Sequence, residues 1–271
     1  MKVRQLLQKP SRASLRDRAL LLAHLLGTDH KELYFMEGLE VPPEVEERFF
    51  RELSRPEEGY PLQYILGEWD FYGMTFFVEE GVLIPRPETE ILVEEVLKRL
   101  PEDKPLLGLE LGVGTGCISV SLLYYRTNLR MLGSDISLRA LRLTRKNALR
   151  HGVSDRLLLF AGDLFTPLKP YPFDLLVSNP PYIPEAHWEK LPKSIRIEGY
   201  SSLIGGVRGW EFYERLAAGV ADYLKPGGLI ALEIGHDQGE VVRRLFEEKG
   251  FKVETIRDYS GQERVVLGWR Y

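Results

Sequence analysis

The sequence predicts an α/β protein in which a largely parallel, doubly wound sheet follows a small helical domain. Three observations predict it. From residue 105 onward, apolar runs of strand length alternate with helical patterns. The first of those runs is separated from the next helix by a glycine-rich turn, Gly112-Val-Gly114-Thr-Gly116. Before residue 67 only helical periodicity is present.

Each element can be justified in order. Ser14 is an N-cap with Asp17 three residues on, a weaker relative of the capping box. The apolar stretch Ala19 to Leu26 follows, and Gly27 stops it. Val41-Pro-Pro-Glu opens a second helix with proline in its first turn. That helix runs through Phe49, Phe50 and Leu53 to an expected break at Pro56 and Gly59. Short helices with strong apolar faces should pack as a bundle, placing a helical domain at 1–67. Trp69 to Val78 alternates around Gly73 as a β-hairpin, within a linker spanning 68–85. The amphipathic helix Ile91 to Leu100 leads into the sheet domain, 86–271. There Pro105 to Leu111, Arg130 to Ser134, Leu157 to Phe160 and Phe173 to Ser178 read as buried strands, with Ile118 to Tyr125 as the helix after the glycines. Lys225-Pro-Gly-Gly228 is a turn before the strand Leu229 to Ile234. Phe251 to Arg257 and Arg264 to Trp269 close the sheet around the turn Tyr259-Ser-Gly-Gln.

Asn179-Pro180-Pro181-Tyr182 at the end of the fourth strand is the most informative motif. Each proline removes a backbone donor and fixes φ near −65°. The residue before a proline is pushed out of the helical region. The chain therefore leaves the sheet stiff and extended, presenting an amide side chain, carbonyls without internal partners and a flat ring. Those groups suit a planar substrate carrying an NH2.

Composition limits the alternatives. The 271 residues, 44% hydrophobic, are enough for a sizeable core. A formal net charge of −4 gives no bulk electrostatic case for nucleic-acid binding. The basic lean of Lys2, Arg4, Lys9, Arg12, Arg16 and Arg18 reads as a solvated helix face. One cysteine, Cys117, excludes a disulfide framework and reads as a small packed residue. The five histidines show no ligand spacing, so no metal is expected. No apolar run approaches a membrane span and no secretory signal is visible, so a cytoplasmic monomer is the expectation.

Glycine loop, Asp135, Asp163 and Asn-Pro-Pro-Tyr at successive strand ends resemble the class I methyltransferases that use S-adenosylmethionine. The resemblance implies a Rossmann-like sheet, with Gly112, Gly114 and Gly116 under the methionine portion of the cofactor. It places Asp135 on the ribose hydroxyls and Asp163 with the Leu164 backbone near the adenine. Glu110, Val113, Thr115 and Asn179 complete the implied cofactor set. Pro61-Leu-Gln-Tyr-Ile-Leu-Gly67, Phe71-Tyr-Gly73 and Leu83-Ile-Pro-Arg-Pro-Glu-Thr-Glu90 narrow the likeness. They are similar to the peptide-chain release factor glutamine methyltransferases, also called the HemK family. That family has a small N-terminal helical domain joined by a β-hairpin to a class I methyltransferase domain. A sister family acting on a ribosomal-protein glutamine shares Asn-Pro-Pro-Tyr but differs in the Pro-Glu-Thr-Glu segment. Two positions depart from the family pattern: Gly199 stands where a proline is usual and Arg208 where an acid is usual.

The activity this implies is methyl transfer to the side-chain amide nitrogen of the glutamine in the Gly-Gly-Gln motif of release factors. The Asn179 oxygen and the Pro180 carbonyl would accept the two amide hydrogens, and Tyr182 would pack on the amide plane beside Pro181. Glu88 and Glu90 read as acids at the start of a helix rather than as catalytic groups. A nucleic-acid exocyclic-amine methyltransferase is the rival reading, since that chemistry also needs two acceptors and a stacking face.

Overall fold

The computed structural model describes all 271 residues, which divide into two units. One comprises Met1–Glu68 together with Pro192–Ile197. Its helices are α1 (Val3–Gln8), α2 (Leu15–Leu26), α3 (Pro43–Glu57) and α4 (Leu62–Leu66). The Ser14 hydroxyl accepts from the Asp17 amide at 3.0 Å, and Gly27 ends α2 with φ of 69°. Pro43 opens α3, but Pro56 does not break it. Pro56 stands one residue from the helix end, so it forfeits a single late backbone bond, and the Glu58 amide still closes on Ser54. Leu6, Leu21, Leu22, Phe49 and Leu53 form the core of this unit.

The other unit, Trp69–Leu191 with Glu198–Tyr271, contains the sheet. The hairpin strands β1 (Glu68–Phe71) and β2 (Met74–Phe77) meet at Tyr72 (φ 49°) and Gly73 (φ 72°). Two consecutive left-handed residues are what a two-residue hairpin with strand-matched twist requires. Phe71, Met74 and Phe76 are buried in the core cluster that also holds Leu92 and Leu122, so the hairpin is packed into this unit. Helix α5 (Pro87–Arg99) starts four residues before Ile91, because Pro87 takes the first helical position and Arg86 stays extended. Glu88 and Glu90 fall in its first turn, and Glu90 Oε1 also accepts from the Tyr72 amide at 2.7 Å, fastening the hairpin turn.

After α5 come β3 (Leu106–Leu111), α6 (Cys117–Tyr125), β4 (Leu129–Asp135), α7 (Leu138–Arg150), β5 (Leu157–Ala161) and β6 (Phe173–Ser178). Two short helices follow, α8 (Lys193–Arg196), which belongs to the first unit, and α9 (Tyr200–Leu203). The chain finishes with α10 (Glu211–Gly219), β7 (Leu224–Glu233), α11 (Gly239–Glu247), β8 (Phe251–Arg257) and β9 (Glu263–Arg270). The expected turn Lys225–Gly228 is an irregularity within β7: Phe173 pairs with Leu224, but Leu175 already pairs with Leu229.

Strand order is β5-β4-β3-β6-β7-β9-β8, parallel through β7, with β9 antiparallel to both of its neighbours. Side chains alternate between faces with period two. Leu229, Ala231, Val265 and Leu267 join the cluster under α5 and α6. Ile230, Leu232 and Val266 join the opposite cluster with Leu216, Val242 and Phe246. Connections run outward in both directions from the β3/β6 pair, which makes it the switch point where a ligand is expected at the carboxyl ends of the strands.

Candidate active site

A cavity of about 490 Å3 lies at that switch point. Its wall includes Glu110, Gly112, Val113, Gly114 and Thr115 after β3, and Asp135 after β4. Asp163 and Leu164 after β5 and Asn179 and Pro181 after β6 complete the set anticipated from sequence. Gly116, Pro180 and Tyr182 do not line it. Gly116 and Pro180 are buried, and the Tyr182 ring packs against the hydrophobic cluster on the α10/α11 face.

The glycine loop is shaped by its own backbone and by side chains of α7. Gly112, Gly114 and Gly116 have φ of 78°, 54° and 81°, a region L-residues rarely adopt. A Cβ on Gly112 would enter open space, whereas one on Gly116 would lie 2.7 Å from Thr144 Cγ2. The first glycine thus leaves room for a ligand and the third lets α7 approach. Thr144 Oγ1 donates to the Gly114 carbonyl at 3.0 Å. Asn147, fully buried, donates to the Thr115 carbonyl at 2.8 Å and to the Phe77 carbonyl at 3.0 Å, while its oxygen accepts from the Phe77 amide at 2.8 Å.

The acids of the site differ in environment. Asp135 Oδ2 accepts from the Gly114 amide at 3.0 Å and Oδ1 from the Ser137 amide at 2.8 Å. Burial raises its pKa against those bonds. Glu110 is buried, and its Oε2 accepts from both the amide and the hydroxyl of Ser119. Its Oε1 has no partner, and burial pushes the carboxyl up to about 8. Asp163 is exposed and paired with Arg215 at 2.7 Å.

Several residues of the site were not anticipated. Asn179 Nδ2 donates to Thr89 Oγ1 at 3.2 Å. Tyr182 points its hydroxyl at Glu233 Oε1, 3.5 Å away. Buried Gln238 donates to the Tyr182 carbonyl at 2.9 Å and the Gly209 carbonyl at 3.1 Å. Glu198, almost fully buried, accepts from Arg86 at 2.6 Å and from the Ile84 amide at 3.3 Å. These bonds join the exit of β6, the segment before α5 and the loop 198–209. Thr89 stands inside the Pro-Glu-Thr-Glu run, and Glu233 is the one acid in its apolar strand, the signal that could have found it. The two departures from the family pattern are both accommodated. Gly199 has φ of 103°, closed to proline, and Arg208 pairs with Glu211 at 3.3 Å and Glu214 at 2.6 Å.

A glycine-shaped loop and acids at successive strand ends, with Asn-Pro-Pro-Tyr at the end of β6, form the site of an S-adenosylmethionine-dependent methyltransferase, the class that the matches below show. The cavity fits that cofactor on its own evidence: Gly112 leaves space where a side chain would intrude, and Oε1 of the buried Glu110 in its wall has no hydrogen-bond partner. Residues 87–191 match the family model of the methyltransferase small domain. Residues 2–67 match that of the PrmC N-terminal domain. A 16S rRNA N2 G1207 methyltransferase from T. Thermophilus, solved with AdoMet and guanosine, shares the fold at a TM-score of 0.54 and 20% identity, over 75% of this chain and 50% of that one. A release factor glutamine methyltransferase of Aquifex aeolicus is 48% identical over all of this chain and 96% of its own length. One from Moorella thermoacetica is 40% identical over 85% of this chain and 82% of its own. The chain belongs to the release factor glutamine methyltransferase family.

Proposed function

We propose that this chain transfers a methyl group from S-adenosylmethionine to the side-chain amide nitrogen of the glutamine in the Gly-Gly-Gln motif of peptide-chain release factors. The observation that carries the reading is that Asn179 stands in the wall of the same cavity as the glycine loop and Asp135. An amide-orienting group and the cofactor residues thus share one space.

Gly112 and Gly114 would hold the cofactor's methionine portion, and Glu110 would receive its ammonium. Asp135 takes the ribose hydroxyls, and Asp163 with the Leu164 backbone borders the adenine. The bound cofactor supplies an electrophilic methyl on a sulfonium. The rest of the task falls to the protein. A glutamine amide nitrogen is a poor nucleophile because its lone pair is delocalised into the carbonyl. The Asn179 oxygen and the Pro180 carbonyl accept its two hydrogens, aim the nitrogen and favour positive charge developing there. Preorganised acceptors act most where charge appears in the transition state, and alignment can supply roughly 7–11 kcal/mol in favourable cases. Tyr182, held by Glu233 and Gln238, braces the loop that carries both acceptors.

The net charge of −4 supports a protein rather than a nucleic-acid substrate. A monomeric enzyme is part of the proposal. A cytoplasmic location is part of the same proposal; no helix is long and apolar enough to cross a membrane. The test is transfer from labelled S-adenosylmethionine to a bacterial release factor and to a copy with the Gly-Gly-Gln glutamine changed to alanine, with duplex DNA and RNA in parallel. Label on the native release factor alone is expected. Label on nucleic acid would overturn the substrate. Asn179→Ala is expected to abolish transfer while cofactor affinity stays within a few-fold.

A further inference from the structure

The Asn179 amide works as an acceptor only in one of its two orientations, and something must hold it there. Thr89 is the one residue of α5 in the cavity wall, and it is 2% exposed. Its Oγ1 takes the hydrogen of Asn179 Nδ2 at 3.2 Å. Behind it lies Glu233, the last residue of β7, 1% exposed. Burial pushes the Glu233 carboxyl up to about 7 and Glu88 on α5 acts in the same direction, against the Thr89 and Tyr182 hydroxyls and Arg264 on β9, which favour its charged form. Its Oε2 is buried without a hydrogen-bond partner, and the Thr89 hydroxyl is among the groups that favour its charge.

We propose that Glu233 and Thr89 form a positioning relay that fixes the flip of the Asn179 amide and so turns its oxygen toward the substrate nitrogen. The logic is a count of hydrogens. Above about pH 7 the Glu233 carboxyl is ionised and only accepts, and a threonine hydroxyl has one hydrogen. Once that hydrogen is given to Glu233, Oγ1 can only accept, and Asn179 can satisfy it only with its NH2. The reverse flip would set two acceptors face to face and offer the substrate amide an NH2 that it cannot use. Neither Thr89 nor Glu233 touches the substrate in this scheme; both act through Asn179. The relay rests on the reading that Asn179 orients the substrate amide.

The test compares Thr89→Val, Thr89→Ser, Glu233→Gln and Asn179→Ala in the full-length enzyme, with release factor and labelled S-adenosylmethionine as substrates. Thr89→Val keeps the shape and loses the hydroxyl. It is expected to lower kcat at least about tenfold, with KM for the release factor and Kd for the cofactor within about twofold of wild type. Thr89→Ser is expected to restore kcat to within about threefold. Glu233→Gln, whose amide can donate to Thr89 and reverse the relay, is expected to lower kcat as Thr89→Val does. A Thr89→Val enzyme with wild-type kcat beside an inactive Asn179→Ala would overturn the relay and leave the role of Asn179 standing. A Thr89→Ser enzyme as slow as Thr89→Val would also overturn it, because the hydroxyl would then not be the group that matters. Wild-type turnover by Asn179→Ala would remove the reading on which the relay rests.

Discussion

Glu110 illustrates how one residue can trade stability for a binding group. Burial raises its pKa from 4.5 to about 8, eased by the two bonds from Ser119 and raised further by the charge of Asp135. Between those two values the folded protein keeps a proton that the unfolded chain has released. The folded state then binds more protons, so stability falls as pH rises across that window. Glu110→Gln removes the dependence. Urea unfolding of the cofactor-free protein at pH 5, 6, 7 and 8 should show the variant gaining on wild type by up to about 1.4 kcal/mol per pH unit. A constant gap would mean that the carboxyl is ionised throughout. Gly205 offers a steric test at the same scale. A Cβ there would overlap the Pro181 carbonyl oxygen and lie 2.8 Å from that of Gly209. Gly205→Ala should therefore displace the Asn-Pro-Pro-Tyr loop and reduce kcat at least about tenfold, while calorimetry finds cofactor affinity changed much less.

Elements were legible where a short period declared them. Strand β6 has the bounds expected from its apolar run, and the β1/β2 turn falls on Gly73 as alternation required. Long-range ties were not legible. Asn147 reads as an ordinary helical polar residue, yet α7 uses it to join the hairpin 70 positions away to the glycine loop 32 positions away. Only the packing of α7 beneath both brings those partners together. Thr89 was hidden for a related reason: with the helix expected from Ile91, it read as loop, and its turn toward Asn179 depends on α5 starting at Pro87. Asn147→Leu would strip three backbone groups of their partner at once. It is expected to cost roughly 2–4 kcal/mol in urea unfolding and to weaken cofactor binding. Unchanged affinity would show that the glycine loop keeps its shape without α7.

For the molecule as a whole, every wall residue of the cavity belongs to the unit that holds the sheet. A chain starting at Trp69 is therefore expected to bind S-adenosylmethionine with affinity within about threefold of the full chain, measured by calorimetry. Raised KM for a release factor in that truncated chain would place substrate recognition in the helical unit, and unchanged KM would exclude it. The sequence changes from helical periodicity to alternation near residue 67; the helical unit comprises Met1–Glu68 and also Pro192–Ile197, 120 residues and more further along the chain. The order of the last three strands carries a further consequence for how the protein is made. On the ribosome β7 and β8 emerge before β9, yet β9 lies between them. Until residues 263–270 have left the exit tunnel, the outer edge of Leu229–Glu233 has no neighbour, and such an apolar edge invites pairing with another nascent chain. A nascent chain stalled or cut short before β9 would thus be prone to aggregate even though its glycine loop and Asn-Pro-Pro-Tyr segment had long been synthesised.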